Sequence, residues 1–442
     1  MTSSNRREFL QHTALGIAGA AAASSVADAA ETKGPAAANE RTVIGLIGPG
    51  GMGTNHLKQF VTYKDVQVAY VCDPDAARLA AAAKLVESAT GTAPKAVTDM
   101  RQVLDDKAVD AVVIATPDHW HAPATILACQ AGKHVYVEKP CSHNIREGRL
   151  MIEAARKYNR VVQVGTQSRS NPLVEQAMQR LREGAIGEIL SAKVWNSQRR
   201  RTIGHTQPSE PPTGLDYDTW VGPAPLRPYQ SNLLPGIWRW WYEFGCGDMG
   251  NDGVHNIDIA CWGLGVDTHP TSIAAIGGKY YFDDDQQFPD TQTVIFEYPG
   301  DGRVGHKKQL IFEQRIWSPY VQEGYENGNA FYGTKGYLVM GHTVGWQLFG
   351  ERNKLIDSMT GKPNLPAHHR NFLDCISSGA RPHADVEIGH LAASLCHLGN
   401  IATRVGRVLT FDPVREKIVG DEQANALVRR QYRDHWGTPA NV

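Results

Sequence analysis

Between Gly245 and Trp262 the chain reads GCGDMGNDGVHNIDIACW, placing Asp248, Asn251, Asp252, His255 and Asp258 within about three helical turns. Val254, Ile257 and Cys261 line a different face of the same segment. Three kinds of chemistry fit these residue types. Asp248 at a helix start can cap free N–H groups and complement the helix dipole, although that leaves His255, a turn or more further in, unexplained. Asp252 and His255, three apart with Asp248 four before, can offer two or three metal ligands from one helix. His119, His121, His368 and His369 are further imidazoles that a fold could bring to them. An imidazole beside a carboxylate can also take a hydroxyl proton while hydride leaves the same carbon, because its pKa lies near neutrality. The cluster alone leaves all three open.

What surrounds the cluster narrows the choice. RTVIGLIGPGGMGTNHLKQF opens on an apolar, β-branched run that reads as a buried parallel strand, then gives Gly48, Gly50, Gly51, Met52 and Gly53 before a helix-like segment. This is G-x-G-x-x-G in the context of strand, tight turn and helix. There Gly48 permits the turn, Gly50 admits a pyrophosphate and Gly53 lets helix and strand pack closely. The helix N-terminus offers free N–H groups to the phosphates. VQVAYVCDPD reads as the second strand, ending at Asp73, 20 residues beyond Gly53. A carboxylate there accepts hydrogen bonds from adenosine ribose hydroxyls and repels a 2′-phosphate, so NAD is expected over NADP despite Arg78 nearby. Two more strands follow, in VDAVVIATPDHWHAP and GKHVYVEKP. Their strand ends carry Thr116, Pro117 and the nearby His121, and Glu138, Lys139 and Pro140, where ligands of doubly wound sheets bind.

GPGGMG, ATPDHWHAP and VEKP, in this order and spacing, resemble the Gfo/Idh/MocA family of nicotinamide-dependent sugar and polyol oxidoreductases. The resemblance implies that Lys139 lies beside the nicotinamide and the substrate hydroxyl, with a cis peptide before Pro140. It places Gln167 and Arg169 of GTQSRS near the nicotinamide edge. It also implies an Asp-x-x-x-His signature whose histidine is His255. Here the residue four before His255 is Asn251, which can hydrogen-bond but cannot carry a proton. Either Asp252 supplies the carboxylate, or Lys139 and His255 act together with Asn251 orienting. The expected catalytic set is therefore Lys139, His255, Asp252 and Asn251, with no metal. Arg239 and Trp240, from WRWWYEFG, suit a sugar site, since indole faces stack on the apolar faces of pyranose rings.

Beyond residue 162 the alternation of strand and helix breaks. GEILSAKVWNSQ, TSIAAIGGKYYF, TQTVIFEYPG and HKKQLIFEQRIW alternate polar and apolar residues as antiparallel strands with one wet face do. FYGTKGYLVMG and TVGWQLFG read as further strands. The expected fold is α/β: an N-terminal Rossmann domain with a doubly wound parallel sheet over 41–162, then an α/β substrate and oligomerisation domain over 163–412 with a large, mainly antiparallel sheet. Residues 413–442 read as a C-terminal tail. The Pro/Gly-rich QPSEPPTGLDYDTWVGPAP, with Tyr217 and Trp220, reads as a lid or wall over the site. Two late helices are expected to pack back near the nucleotide domain.

Bulk properties exclude some partners. Formal net charge is −1 over 442 residues, so no single-sign field attracts nucleic acid or an anionic membrane. Seven scattered cysteines, with no CxxC pair, read as buried apolar residues rather than disulfides or a zinc site. Residues 1–30 carry Arg6-Arg7, a short Ala/Gly-rich run and Ala27-Asp28-Ala29, which look like a twin-arginine export signal, with 31–40 a spacer. The run is too short and small-residue-rich to anchor the chain in a bilayer. The sequence thus points to a periplasmic or secreted oxidoreductase, exported folded by the twin-arginine machinery. It would move hydride between tightly held NAD and a carbohydrate or polyol carbinol, as a homo-oligomer by family resemblance. The alternatives are a glycosidase or lyase that oxidises its sugar transiently, and a sugar-binding protein without catalysis.

Overall fold

The computed structural model describes residues 41–303 and 305–440; the expected signal and spacer lie outside the described residues. Six parallel strands form the first sheet: β1 (Thr42–Ile47), β2 (Val66–Cys72), β3 (Lys95–Val97), β4 (Ala111–Ile114), β5 (His134–Val137) and β6 (Val162–Val164). Their spatial order is β3-β2-β1-β4-β5-β6, a doubly wound arrangement. Helices α1 (Gly51–Phe60), α2 (Ala76–Thr90), α3 (Arg101–Asp105), α4 (Asp118–Gln130) and α5 (Ile145–Lys157) join these strands. Central strands β1 and β4 are covered on both faces, so their residues from Val43 and from Ala111 onward are apolar rather than alternating. The order reverses between β1 and β4, and the crevice at their carboxyl ends lies there. The sheet continues to Val164, two residues past the boundary read from the sequence.

The second domain contains α6 (Pro172–Arg182), β7 (Ile189–Asn196), α7 (Tyr217–Val221) and α8 (Val254–Leu264), followed by β8 (Ser272–Gly278) and β9 (Thr291–Tyr298). Strands β10 (Lys308–Arg315), β11 (Asn327–Gly333), β12 (Tyr337–Gly341), β13 (Gly345–Phe349) and β14 (Leu355–Thr360) come next. The chain closes with α9 (Leu365–Ser378), α10 (Val386–Val405), β15 (Leu409–Asp412), β16 (Lys417–Ile418) and α11 (Glu422–Ala426). Ten strands make one sheet in the order β14-β13-β12-β11-β7-β10-β9-β8-β15-β16. Among these pairs only β7 with β10 is parallel. Alternate residues of β9 and β10, including Val294, Phe296, Leu310 and Phe312, share a buried core with Val254, Ile257 and Cys261 of α8 and with Leu395 and Leu398 of α10. The sheet therefore fixes the helix that carries His255.

The expected tail is an integral part of the fold. Arg430 donates to the His119 carbonyl (2.8 Å) and pairs with Glu147 (2.8 Å), while Trp436 packs on Trp120. Helix α9 reaches the first domain through His369, whose Nε2 lies 2.8 Å from His56 Nδ1. All seven cysteines are buried and unpaired. No helix among the described residues is long and apolar enough to cross a membrane.

Candidate active site

A cavity of about 870 Å3 runs from the carboxyl ends of the first sheet to the start of α8. At one end stand Asp73 and Arg78, in the middle Gly48, Gly50, Gly51 and Met52, and further along Thr116, Pro117, Asp118 and His121. Glu138, Lys139, Gln167, Asn251 and His255 join the same wall. Gly48 has φ +84°, and a Cβ there would fall 2.7 Å from the Thr116 nitrogen, so the turn and the β4 strand end meet backbone to backbone. Gly53 does not line the cavity: a Cβ on it would lie 2.1 Å from the Gly48 carbonyl, which is the close packing that brings α1 under the turn. Gly51 has open space where a Cβ would be. The N-terminus of α1 is thus left clear, as bound phosphates require.

Asp73 is 6 % exposed and accepts a bond from the Asp75 N–H (2.8 Å). Burial pushes its carboxyl up to about 6, against the pull of that bond and of Arg78. His121 braces two turns: its ring nitrogens face the Pro140 (2.6 Å) and Thr116 (2.9 Å) carbonyls. Both polar atoms of this ring are thereby engaged by backbone rather than free for a ligand.

Lys139 precedes a cis peptide to Pro140, as the resemblance implied. Its Nζ donates to the Asn251 carbonyl (2.7 Å) and weakly to Asn251 Oδ1 (3.4 Å). Next to it, Glu138 accepts from His56 Nε2 (3.0 Å) and Gln167 Nε2 (3.2 Å). Burial works against the Glu138 charge, but His56, then Lys139 and His121, outweigh it and hold this carboxyl below the ordinary glutamate range. The His255 ring lines the cavity, is tilted against His342 at 4.6 Å between centroids, and has its Nδ1 buried without a partner. Burial, then the neighbouring His342 and Lys139, hold His255 well below the usual histidine range, so the imidazole is neutral.

Several expectations are corrected. Asp252 does not serve His255: its carboxylate is taken by Gln198 and Arg200, with Asn251 Nδ2 at 3.2 Å. Burial opposes its charge, yet Lys139 and Arg200 prevail and keep this carboxyl below the ordinary aspartate range. Asp248 caps nothing through its side chain; it accepts from Asn196 (2.8 Å) and Arg200 (2.9 Å). The two carboxylates therefore share one guanidinium, and residues Met249–Gly253, which include Asp252, form a π-helical turn before α8. Such a turn shifts the register of the following helix, which is why a simple i, i+3 reading failed. Arg169 is drawn away from the cavity wall by Asp258 (2.8 and 2.9 Å) and lies over the Trp262 ring. Trp240 packs with Phe282, Phe288 and Ile316; of the two indoles flanking Arg239, Trp238 is the one on the cavity wall.

The sequence reading missed Asp118, His56, His342 and Trp436. Asp118 sits inside the quoted ATPDHWHAP, is 3 % exposed and lines the cavity. Burial pushes its carboxyl above the ordinary aspartate range, against His121, Lys139 and Arg239. The others come from distant segments and had no local signal. The proposed lid is more extensive than its Pro/Gly-rich motif: Pro212, Leu215, Thr219 and Trp220 line the cavity, and so do Leu234, Trp238 and Arg239 further along. His269, His390 and Glu416 form a compact buried group elsewhere, whose carboxylate is also bound by Arg149 (2.6 Å).

A glycine-rich turn under a helix N-terminus, an acid at the end of the second strand and a second domain whose large sheet backs the helix carrying His255 define a class: dinucleotide-binding oxidoreductases of two domains. The chain belongs to the Gfo/Idh/MocA oxidoreductase family. Residues 42–166 match its NAD-binding Rossmann fold, and residues 194–302 and 327–438 its C-terminal alpha/beta domain. It is 34% identical over 158 residues to levoglucosan dehydrogenase of Pseudarthrobacter phenanthrenivorans, covering 34% of this chain and 39% of that one. It is 27% identical over 207 residues to the alpha-N-acetylgalactosaminidase of Shewanella oneidensis, covering 43% of this chain and 45% of that one. Each of these matches spans less than half of the relative's length. The WlbA dehydrogenase of Bordetella pertussis, solved with NADH and UDP-GlcNAcA, has a similar fold: TM-score 0.63, 21% identity, 84% of this chain and 99% of that one.

Proposed function

We propose that this protein oxidises or reduces a carbinol of a sugar or polyol with a tightly held NAD, and that it does so after export. The observation that carries the reading is the single cavity joining the dinucleotide turns to Lys139, Asn251 and His255. Asp73 would hold the adenosine ribose hydroxyls, the α1 N-terminus the pyrophosphate, and the turns at Thr116–Pro117 and Glu138–Lys139 the nicotinamide side. Bound NAD supplies the hydride acceptor or donor. Lys139 places its ammonium beside the substrate oxygen and stabilises negative charge developing there. His255, neutral and at the cavity wall, receives the hydroxyl proton. Asn251 holds Lys139 through its carbonyl and oxygen side chain, so the amide at this position is used for orientation. The residues 1–30 pattern supports export by a route that carries folded, cofactor-loaded protein.

The test is to denature purified mature protein, identify any nucleotide released, and then screen sugars for change in the near-ultraviolet band of reduced nicotinamide. Released NAD and a sugar-dependent change are expected, with Lys139→Ala and His255→Ala each slowing the change about a hundredfold or more. Protein that carries no nucleotide and shows no NAD affinity would sink the reading. The second reading, transient oxidation in the service of glycoside cleavage, is favoured by the longer stretch shared with the galactosaminidase. It predicts cleavage without net nicotinamide change and deuterium exchange at the oxidised carbon.

A further inference from the structure

Among the described lid residues on the cavity wall, Arg239 is the one cation, and its charge meets no counter-ion by contact. Among the described residues it forms no ion pair and no side-chain hydrogen bond, and its Nε is buried without an acceptor. Of the other charges at this end, Asp252 and Asp248 are answered by Arg200 and Glu138 by His56, the Lys139 ammonium meets the neutral Asn251 oxygens, and Asp118 forms no ion pair among the described residues. Asp118 and Asp252 feel the Arg239 charge without touching it, and both also feel that of Lys139. Arg239 therefore stands at the reacting end, away from Asp73 and from Arg78, whose guanidinium lies beside Gly50 at the phosphate-binding turn. Its backbone is firmly placed, since a Cβ on Gly245 would fall 2.3 Å from the Arg239 Cα. A buried guanidinium donor left without an acceptor is costly, and a fixed planar fork matches a carboxylate better than a neutral hydroxyl.

We infer that the substrate is an acidic sugar, an aldonic or uronic acid, whose carboxylate is received by Arg239 at the reacting end of the cavity. This rests on the carbinol-oxidation reading above. In the oxidative direction hydride leaves the ring or chain carbinol carbon for the nicotinamide and the hydroxyl proton goes to His255. The carbinol becomes a ketone and the carboxylate is unchanged. Trp238, next to Arg239 on the wall, gives the apolar face of the sugar a surface to lie on.

The experiment uses NAD-loaded, full-length mature protein and matched pairs: glucuronate with glucose, galacturonate with galactose, gluconate with glucitol, and glucose 6-phosphate as a competing oxyanion. Binding is followed by calorimetry and turnover by nicotinamide absorbance. The acids should exceed their neutral partners in affinity or kcat/KM by about ten- to a hundredfold. Arg239→Gln should bring that ratio to about one, Arg239→Lys should keep part of it, and added salt should weaken the acids selectively. Equal use of both members, preference for the phosphate, or an equal loss for acid and neutral sugars in Arg239→Gln overturns the inference while leaving carbinol oxidation standing. If nothing in either panel binds or reacts, the carbohydrate reading fails and this inference fails with it.

Discussion

At Asp73 two demands conflict. In the proposed reading the ribose needs a charged acceptor at the end of β2, whereas burial there favours the neutral acid and raises the carboxyl to about 6. The sign of the consequence follows from proton uptake. The native state holds its proton up to about pH 6, and the unfolded chain loses it near 3.8. Stability from this group is thus complete below about pH 4 and is lost as pH rises through 6. Asp73→Asn, which keeps the oxygen that accepts the Asp75 N–H, should therefore stabilise the cofactor-free protein at pH 7.5 by up to about 3 kcal/mol. In thermal melts the gain should shrink as pH falls and vanish near pH 4, while NAD affinity at neutral pH drops. No gain at neutral pH would mean that the carboxylate is solvated better than its burial indicates. The same residue-level reasoning explains His255. The carboxylate that would have raised its pKa is committed to Arg200, so burial, with His342 and Lys139 beside it, keeps the imidazole neutral.

At the scale of elements, the contact between the glycine-rich turn and α1 decides whether the dinucleotide has a seat. A methyl at Gly53 would meet the Gly48 carbonyl at 2.1 Å and the Ala115 Cβ at 3.3 Å, and neither backbone can yield without moving β1 or β4. Gly53→Ala should cost about 1–3 kcal/mol in denaturant melts and weaken NAD binding more than a change at Gly51, where a Cβ meets nothing within 4 Å. Equal effects from the two substitutions would contradict this account. Such local contacts are what the sequence makes legible. The strand, turn and helix around Gly48–Gly53, Asp73 at the end of β2, and Lys139 at the end of β5 are each defined within a few neighbours. So are the alternating strands β9 and β10, because side-chain period reports a half-wet sheet. Arg169 and Asp252 were misread because their partners, Asp258 and Arg200, lie 89 and 52 residues away. Trp238 and Trp240 were interchanged because a 3-10 turn rather than a regular helix decides which indole faces the cavity. His56, His342 and Trp436 belong to segments whose proximity to the site only the tertiary fold creates.

At the scale of the whole molecule, the lid residues from Pro212 to Arg239 roof the crevice, and this roof is what separates an open crevice from a closed one. Its backbone joins the end of β2, with Ala76 N donating to the Gly214 carbonyl (2.9 Å) and Asp216 N to the Pro74 carbonyl (3.0 Å). On the other flank Trp120 Nε1 and His119 Nε2 both lie 3.0 Å from the Trp220 carbonyl. The C-terminal segment completes the fastening: Arg433 donates to the Gly222 carbonyl (2.5 Å) and the Asp218 carbonyl (2.7 Å) and pairs with the Asp218 carboxylate (2.5 Å). If NAD is held beneath as proposed, its departure would require these bonds to part, which would give slow exchange a structural basis independent of the depth of the site. Arg433→Ala removes three of them without touching the cavity wall. With Asp218 largely exposed, their net worth is on the order of 1–2 kcal/mol, so NAD dissociation should quicken about five- to twentyfold. Hydride transfer at saturating NAD should stay within about twofold, because Lys139, Asn251 and His255 keep their positions. The measurement is the rate at which excess unlabelled NAD displaces a fluorescent analogue, set beside single-turnover oxidation on the same preparation. An unchanged displacement rate would place the barrier to cofactor loss in the seat itself, at Asp73 and the glycine-rich turn, and leave the roof to exclude water from the reacting end.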